Sequence, residues 1–489
     1  MSVNGQDYEF YKKSTISGVK WAGMAEFFIR IFQFAVTIGL ARLLTPEDFG
    51  LITLALILVK FVQLFIDLGL ASTLIQKMEI NEQHFHFSFT FLFFVSLLIW
   101  VPLFLKPEVF AILLGNSDIS PLLKALSFVI PISAVNVLPR VILNRNLKFK
   151  ELSVADLFSS FGYGIVTIIF AIWLQNVWCF VYGVFAEQIL LAIFLWGYAG
   201  WKPRFNFSIM VVKDLFNFTG SVFGTRLFNF LNLNLLNVLI NKFFGSVALG
   251  FFALAYQVID LPTQRIAKNI MKVMYPVLSK LQKKPVEYEI MLLKSMFVLL
   301  LTVLPFFALL FLLAKPFVLI FYGEKWLAVI PFIKILCAVG FIRSLWTGIS
   351  VICLSSGRPQ FELRLNFLMT LFLFPVIIFL AQFGMTAVLA AFAIIYALIY
   401  FYGQVAVFKW MRISLNAVAD QFKVPLISTG ILFLIIQSTL SLKIVNFDHQ
   451  VLLKFIIISL LSGGIYLIGL FILDKKNLFN LIKLVFTNK

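Results

Sequence analysis

The sequence predicts an all-α integral membrane protein of about 14 transmembrane helices: two pseudo-symmetric six-helix bundles around a central cavity, plus a C-terminal helix pair. Three observations predict it. Hydrophobic residues make up 61% of the 489-residue chain and charged residues only 13%, with a mean hydropathy of +1.00, whereas a water-soluble domain carries roughly 25% charged residues. The apolar residues run on for about 20 positions at a time, enough for a helix to cross ~30 Å of hydrocarbon, where a membrane barrel would alternate over about 10. Lys and Arg fall mostly between these runs, and their density alternates from loop to loop.

The first bundle, 1–200, is expected to hold spans near 15–41, 49–70, 86–105, 121–142, 154–174 and 177–199. Its opening run is too long for a signal peptide, carries Glu26 and Arg30, and lacks a small-residue cleavage site, so it is read as a retained span. The second bundle, 201–412, follows with spans near 215–241, 247–271, 291–313, 327–354, 364–381 and 385–408. The extra pair near 424–441 and 450–473, with a tail, fills 413–489.

The positive-inside rule tests that division, because a missed or invented helix would invert the charge bias of every later loop. Alternate loops hold Lys148 and Lys150, Lys202 and Arg204, Lys280, Lys283 and Lys284, Arg358 and Arg364, Lys409 and Arg412, then Lys475 and Lys476. The opposite loops hold only Arg42, Lys106, Lys242, Lys315, Lys325 and Lys443. The basic loops are assigned to the cytoplasm with both termini, and 106–120 and 315–326 to the outside. The net charge of +18 is thereby a topology signal, and no nucleic-acid partner is expected.

A faint repeat supports two halves. Gly50-Leu-Ile-Thr-Leu-Ala55 opens the second span and Gly250-Phe-Phe-Ala-Leu-Ala255 the eighth, in the same orientation, so the repeat is parallel with an axis along the membrane normal.

Charges inside the spans carry the functional information, because a central Arg, Lys or Asp costs roughly 2.5–3.5 kcal/mol and avoids lipid by facing a wet cavity or a partner. Glu26, Arg30, Gln33 and Thr37 share one helical face; Lys60, Gln63 and Asp67 share another; Arg226, Asn229 and Asn232 a third. Tyr256, Asp260 and Thr263 line the eighth span, and Glu187 and Arg343 are single charges in the sixth and tenth. Arg30, Lys60, Arg226 and Arg343 are the candidate cavity cations. Glu26, Gln33, Gln63, Asp67, Asn229, Asp260 and Glu187 are candidate polar or ion-coupling groups. Glu26 and Arg30, four apart with the acid first, also fit a simple intrahelical pair. Lys60 and Arg226 have no acid at helical spacing in mid-span. Arg265, Lys268 and Lys272, with Lys20 and Arg140, lie near enough to the inner boundary to reach anionic headgroups.

Enzymatic signals are poor: no phosphate loop, metal-ligand cluster or triad, hence no catalytic residue, metal or cofactor is expected. His84 and His86 are two apart and point to different helix faces, which suits packing at the interface. Cys179, Cys337 and Cys353 sit inside apolar runs as core residues, with neither a disulfide framework nor a zinc site indicated.

Several motifs resemble a known family. Ala41-Arg-Leu-Leu-Thr-Pro-Glu-Asp-Phe-Gly50, Asp67-Leu-Gly-Leu-Ala-Ser-Thr-Leu-Ile-Gln76, Asn144-Arg-Asn-Leu-Lys-Phe149, Gly323-Glu-Lys-Trp326, the Pro331 span and Ser356-Gly-Arg-Pro359 resemble the Wzx-type polysaccharide translocases. These form the polysaccharide-transporter branch of the multidrug/oligosaccharidyl-lipid/polysaccharide exporter superfamily, and the likeness is greatest to the colanic-acid exporter group. The resemblance implies a bacterial inner-membrane carrier that moves undecaprenyl-pyrophosphate-linked oligosaccharide to the outer leaflet by alternating access. It also implies cavity cations for the pyrophosphate, and glycan polymerase or export proteins as candidate partners. Lys60 and Arg226 correspond to such cations by location, not by an invariant motif. A polymerase or ligase of glycan assembly is the main competing reading, against which the short 106–120 loop counts. A drug exporter of the same superfamily would favour a more acidic or aromatic cavity, and a non-transporting scaffold fits the same residues.

Overall fold

A computed structural model describes residues 5–67, 70–76, 80–205, 209–441 and 451–473, and every element of length in it is helical. Two compact units divide the chain, 1–250 and 251–489.

In the first unit α1 (Gly5–Leu43), α2 (Pro46–Asp67), α3 (Leu70–Gln76) and α4 (Glu82–Leu105) are followed by the short α5 (Pro107–Leu113) and α6 (Ser120–Leu126). Then come α7 (Val129–Arg145), α8 (Phe149–Leu174), α9 (Trp178–Ala199) and the start of α10 (Ile209–Pro262). α8 packs against α1 and α9, and α7 against α2, α4 and α9. The second unit takes in the end of α10, α11 (Lys268–Lys280), α12 (Pro285–Leu312), α13 (Ala314–Phe321), α14 (Ile330–Ser355), α15 (Pro359–Leu380), α16 (Met385–Met411), α17 (Leu415–Ser441) and α18 (Val451–Leu473). α14 packs against α11, α12, α15 and α16. The final pair docks through Leu432, Ile436, Ile458, Tyr466 and Leu470, which bury against Leu313.

Among the described residues 12 helices are long and apolar enough to span a membrane, or 13 if the pair Ser117–Leu126 and Val129–Arg145, bent by 43°, is one span. One of these, Phe230–Asp260, contains Gly245 at φ 79° and ψ 177°. That backbone region is open to glycine and strained for other residues, so the helix breaks there. The runs expected at 215–241 and 247–271 lie on either side. The 106–120 segment, expected as a loop, is instead α5, a 3-10 turn at Ser117–Ile119 and the start of α6. Its physical basis is Pro107 and Pro121, each at the first or second position of a short helix, where a missing N–H costs nothing.

Structure gives the faint repeat a physical meaning. A Cβ on Gly50 would sit 1.8 Å from the Ser246 carbonyl oxygen, and one on Gly250 would sit 1.7 Å from that of Pro46. Each glycine meets the carbonyl four residues ahead of the other, so the first turns of the two repeated spans cross backbone to backbone about a local two-fold. The motif Thr45-Pro-Glu-Asp-Phe-Gly50 serves this crossing. Thr45 and Asp48 cap α2 reciprocally, the Thr45 N–H donating to Asp48 at 2.9 Å and the Asp48 N–H to the Thr45 hydroxyl at 3.3 Å. The Ser246 hydroxyl donates to Glu47 at 3.4 Å. Two further repeats went unread in the sequence. Lys106-Pro107 opens α5 as Lys315-Pro316 opens α13, and Pro121 with Lys124 matches Pro331 with Lys334.

The other motifs are also structural. The Arg145 guanidinium donates to the Leu74 carbonyl at 2.8 Å, tying the end of α7 to α3. Trp326, wholly buried, packs on Tyr322 and Phe251 after the positive-φ Gly323.

Candidate functional site

The charged residues of the first unit form a chain of polar contacts across several helices. On α1, Arg30 donates to Glu26 at 3.1 Å and to Gln33 at 2.8 Å. Gln33 in turn donates to the Ser160 hydroxyl of α8 at 3.2 Å, and Thr37 closes back on the Gln33 carbonyl. Asp156 lies one turn from Ser160 on α8 and takes an ion pair from Arg140 of α7 at 2.5 Å. The charge of Glu187 on α9 is within electrostatic range of Asp156, Arg140 and Lys60. The stripes of α1 and α2 thus meet a polar wall built by α7, α8 and α9.

Glu26, Arg30 and Lys60 remain accessible: both members of the α1 pair are 45% exposed, and Lys60 is exposed. A lysine at this depth facing hydrocarbon would cost roughly 2.5–3.5 kcal/mol. Glu187 lies within electrostatic range of Lys60, and the polar wall adjoins it. Gln63 is half-buried beyond it. The side chains of Asp67, Arg226 and Asn229 lie outside the described residues, although their backbone continues α2 and α10.

The second unit holds a different arrangement. Arg343, only 8% exposed, pairs with Asp260 at 3.2 Å, and its guanidinium lies 4.9 Å from the centroid of the Tyr256 ring. Tyr256 and Tyr396 both lie within electrostatic range of it. Beside it, Ser344 donates to Thr263, which donates to the Gly340 carbonyl, across a π-helical turn at Thr263–Ala267. Arg343, expected as a cavity cation, is therefore enclosed by its own partners, while Lys60 is an exposed residue. Asp260→Ala is expected to destabilise the protein by about 3–5 kcal/mol, because it strands a buried guanidinium. Thermal unfolding in detergent measures this, and Arg343→Met in the same chain should recover most of the loss.

Of the interfacial basic residues, Lys268 is exposed, and the side chains of Arg265 and Lys272 lie outside the described residues. Arg140, expected to reach headgroups, is held by Asp156. Asp156 and Ser160 carried no separate signal in the sequence reading. Their helical spacing of four was the available clue, but their partners on α7 and α1 are visible only in three dimensions. His84 caps α4 with Asn81, and His86 stacks on Trp201, both structural uses.

Residues 39–331 match the family model described as polysaccharide biosynthesis protein. The chain belongs to the polysaccharide biosynthesis protein family. Within reach of this family, the chain is 25% identical over 374 residues to the lipopolysaccharide biosynthesis protein WzxC of Escherichia coli strain K12, covering 75% of each. It is 26% identical over 358 residues to the teichuronic acid biosynthesis protein TuaB of Bacillus subtilis strain 168, covering 71% of this chain and 72% of that one. Its fold is that of the lipid II flippase MurJ in an inward closed conformation, with a TM-score of 0.76 over 93% of this chain and 98% of the other at 17% identity.

Proposed function

We propose that this protein is a flippase of the bacterial inner membrane, with both termini cytoplasmic. It carries undecaprenyl-pyrophosphate-linked oligosaccharide repeat units to the outer leaflet for surface polysaccharide assembly. The observation that supports this most is the accessible Lys60–Glu187–Arg140–Asp156 polar surface in a unit otherwise built from apolar helices. The family match and the likeness to MurJ support the same cargo class.

Physically, the barrier to flipping is the headgroup. A pyrophosphate and a hydroxyl-rich glycan lose their hydration in hydrocarbon, and a wet cationic surface supplies replacement contacts. The polyprenyl tail stays in lipid, so no covalent step is needed. Lys60, Arg30 and Arg226 serve as pyrophosphate cations in this reading. Glu187 supplies a negative charge within range of Lys60 between loads, and Asp67, Gln63 and Asn229 extend the polar path. Arg343 with Asp260 acts as a structural charge pair of the second half. The halves follow the sequence division 1–200 and 201–412, with 413–489 appended.

Deleting the gene is expected to leave undecaprenyl-pyrophosphate-linked oligosaccharide accumulated on the cytoplasmic leaflet, with surface polysaccharide lost. Normal surface polysaccharide and no accumulated lipid intermediate in the deletion strain would refute the reading. Orientation has its own test: a cysteine introduced at Asp118, exposed in the turn before α6, should react with an impermeant thiol reagent from outside the cell. Labelling only after the membrane is opened would invert the topology.

A further inference from the structure

At one end of α15 and α16 the second unit holds an open pocket of 370 Å³ lined by Arg358, Gln360, Phe361, Arg364, Ala406 and Trp410. The local sequence builds it. Gly357 turns the chain at φ 72°, the Arg358 N–H returns to the Cys353 carbonyl at 2.8 Å, and Pro359 starts α15. The guanidinium of Arg358 lies 4.0 Å from the centroid of the Trp410 ring, so a flat cation is held against an indole at the pocket wall. No side chain caps the N-terminus of α15, where Pro359 has no N–H and the Phe361 N–H returns to the Arg358 carbonyl at 3.2 Å.

The charge there is uncompensated among the described residues. Glu362, the nearest acid in sequence, is turned away to the Ser350 hydroxyl, and neither Arg358 nor Arg364 has a carboxylate within ion-pair distance. Below the pocket the surface is apolar and open: Leu363 and Phe367 of α15 and Phe401 and Val405 of α16 are each more than 40% exposed. Two arginines and an indole therefore sit directly above a strip suited to acyl chains.

We infer that this pocket binds the phosphate of an anionic glycerophospholipid, such as phosphatidylglycerol, in the leaflet on the side of the basic loops. The apolar strip favours a resident bilayer lipid over the pyrophosphate of the cargo, because it continues the site along the lipid-facing helix surface. Phosphate oxygens take the forked N–H groups of Arg358, Arg364 closes the second side, and the acyl chains lie along Phe367 and Phe401. The inference goes beyond the flippase reading and rests on it only for calling that leaflet cytoplasmic.

The test uses the full chain in mixed micelles, with the Trp410 share of fluorescence taken as the difference between the wild type and Trp410→Phe. Phosphatidylglycerol brominated on its acyl chains is expected to quench that share at roughly thirty-fold lower concentration than brominated phosphatidylcholine, at about five-fold for each basic residue near a membrane surface. Arg358→Gln with Arg364→Gln should abolish the preference, and the Lys double variant should keep most of it. Both positions are exposed, so these variants are expected to fold. Equal quenching by the two lipids, or a preference unchanged in the Gln variant, would overturn the inference. So would loss of quenching on adding millimolar inorganic pyrophosphate with no preference between the lipids, which would assign the arginines to the cargo. Because quenching reads lipid binding and not flipping, failure here leaves the transport reading standing, and failure of transport leaves this result unchanged.

Discussion

Lys60→Ala is expected to lower glycan export by about 10- to 100-fold at unchanged protein level, the range that corresponds to losing one charge-assisted hydrogen bond of about 1.5–3 kcal/mol. Lys60 is accessible, and the acid within its electrostatic range, Glu187, comes from another helix. A purely structural role for the pair makes a different forecast: Lys60→Ala with Glu187→Gln would restore export, because the stranded acid is gone. In the pyrophosphate reading the double variant stays defective, since the cation itself is missing. Arg226→Ala is expected to behave like Lys60→Ala. The membrane potential offers an independent readout. Two negative charges moving outward across an inside-negative membrane gain about 4.6 kcal/mol per 100 mV, at about 2.3 per charge, and loaded cations cancel part of it. Removing Lys60 should therefore make the residual transport more dependent on potential.

The second large effect is expected at the glycine crossing. Gly50→Val and Gly250→Val each place side-chain carbon where a backbone carbonyl already sits, at 1.8 and 1.7 Å for the Cβ alone. No rotamer of the new side chain relieves that overlap, and no flexible neighbour can move aside, so the helices must separate. Overpacking costs typically about 1–3 kcal/mol even where side chains can adjust, and here the backbone itself must shift. Lower steady-state protein and a clear fall in Tm are expected, with Gly50→Ala and Gly250→Ala smaller in effect but of the same sign. Gly197→Ala and Gly463→Ala, where an added Cβ meets nothing within 4 Å, should be neutral or slightly stabilising. Equal Tm changes for Gly50→Ala and Gly197→Ala would contradict the close crossing.

The contrast between what was and was not legible beforehand follows from the range of each interaction. Span positions and the basic-loop alternation are local in sequence, and they led to the helical membrane fold directly. Even so, the number of spans depends on Gly245 and on the bend before Val129, which length and composition alone do not resolve. The Glu26–Arg30 contact could be foreseen because it needs only a spacing of four. Gln33 meeting Ser160, 127 residues away, could not. The same holds for Lys60 with Glu187 and for Arg343 with Asp260, whose partners lie on other helices. The six-residue likeness at Gly50 and Gly250 was weak as a pattern, yet it marks the place where both backbones touch. The motif residues explain themselves through local geometry: Thr45 as a cap, Arg145 on the Leu74 carbonyl, Gly357 and Pro359 shaping a turn.

The most direct test of the central claim is leaflet exchange by the purified protein in vesicles. Fluorescent undecaprenyl-pyrophosphate oligosaccharide is incorporated in both leaflets, and its glycan is exposed to an added glycosidase that cannot enter. Vesicles without protein should lose about half of the glycan signal. Vesicles with the wild-type chain should lose nearly all of it, while vesicles carrying Lys60→Ala with Arg226→Ala should stop near half over the same interval. Wild-type vesicles that also stop at half would contradict the assignment of this protein as a flippase.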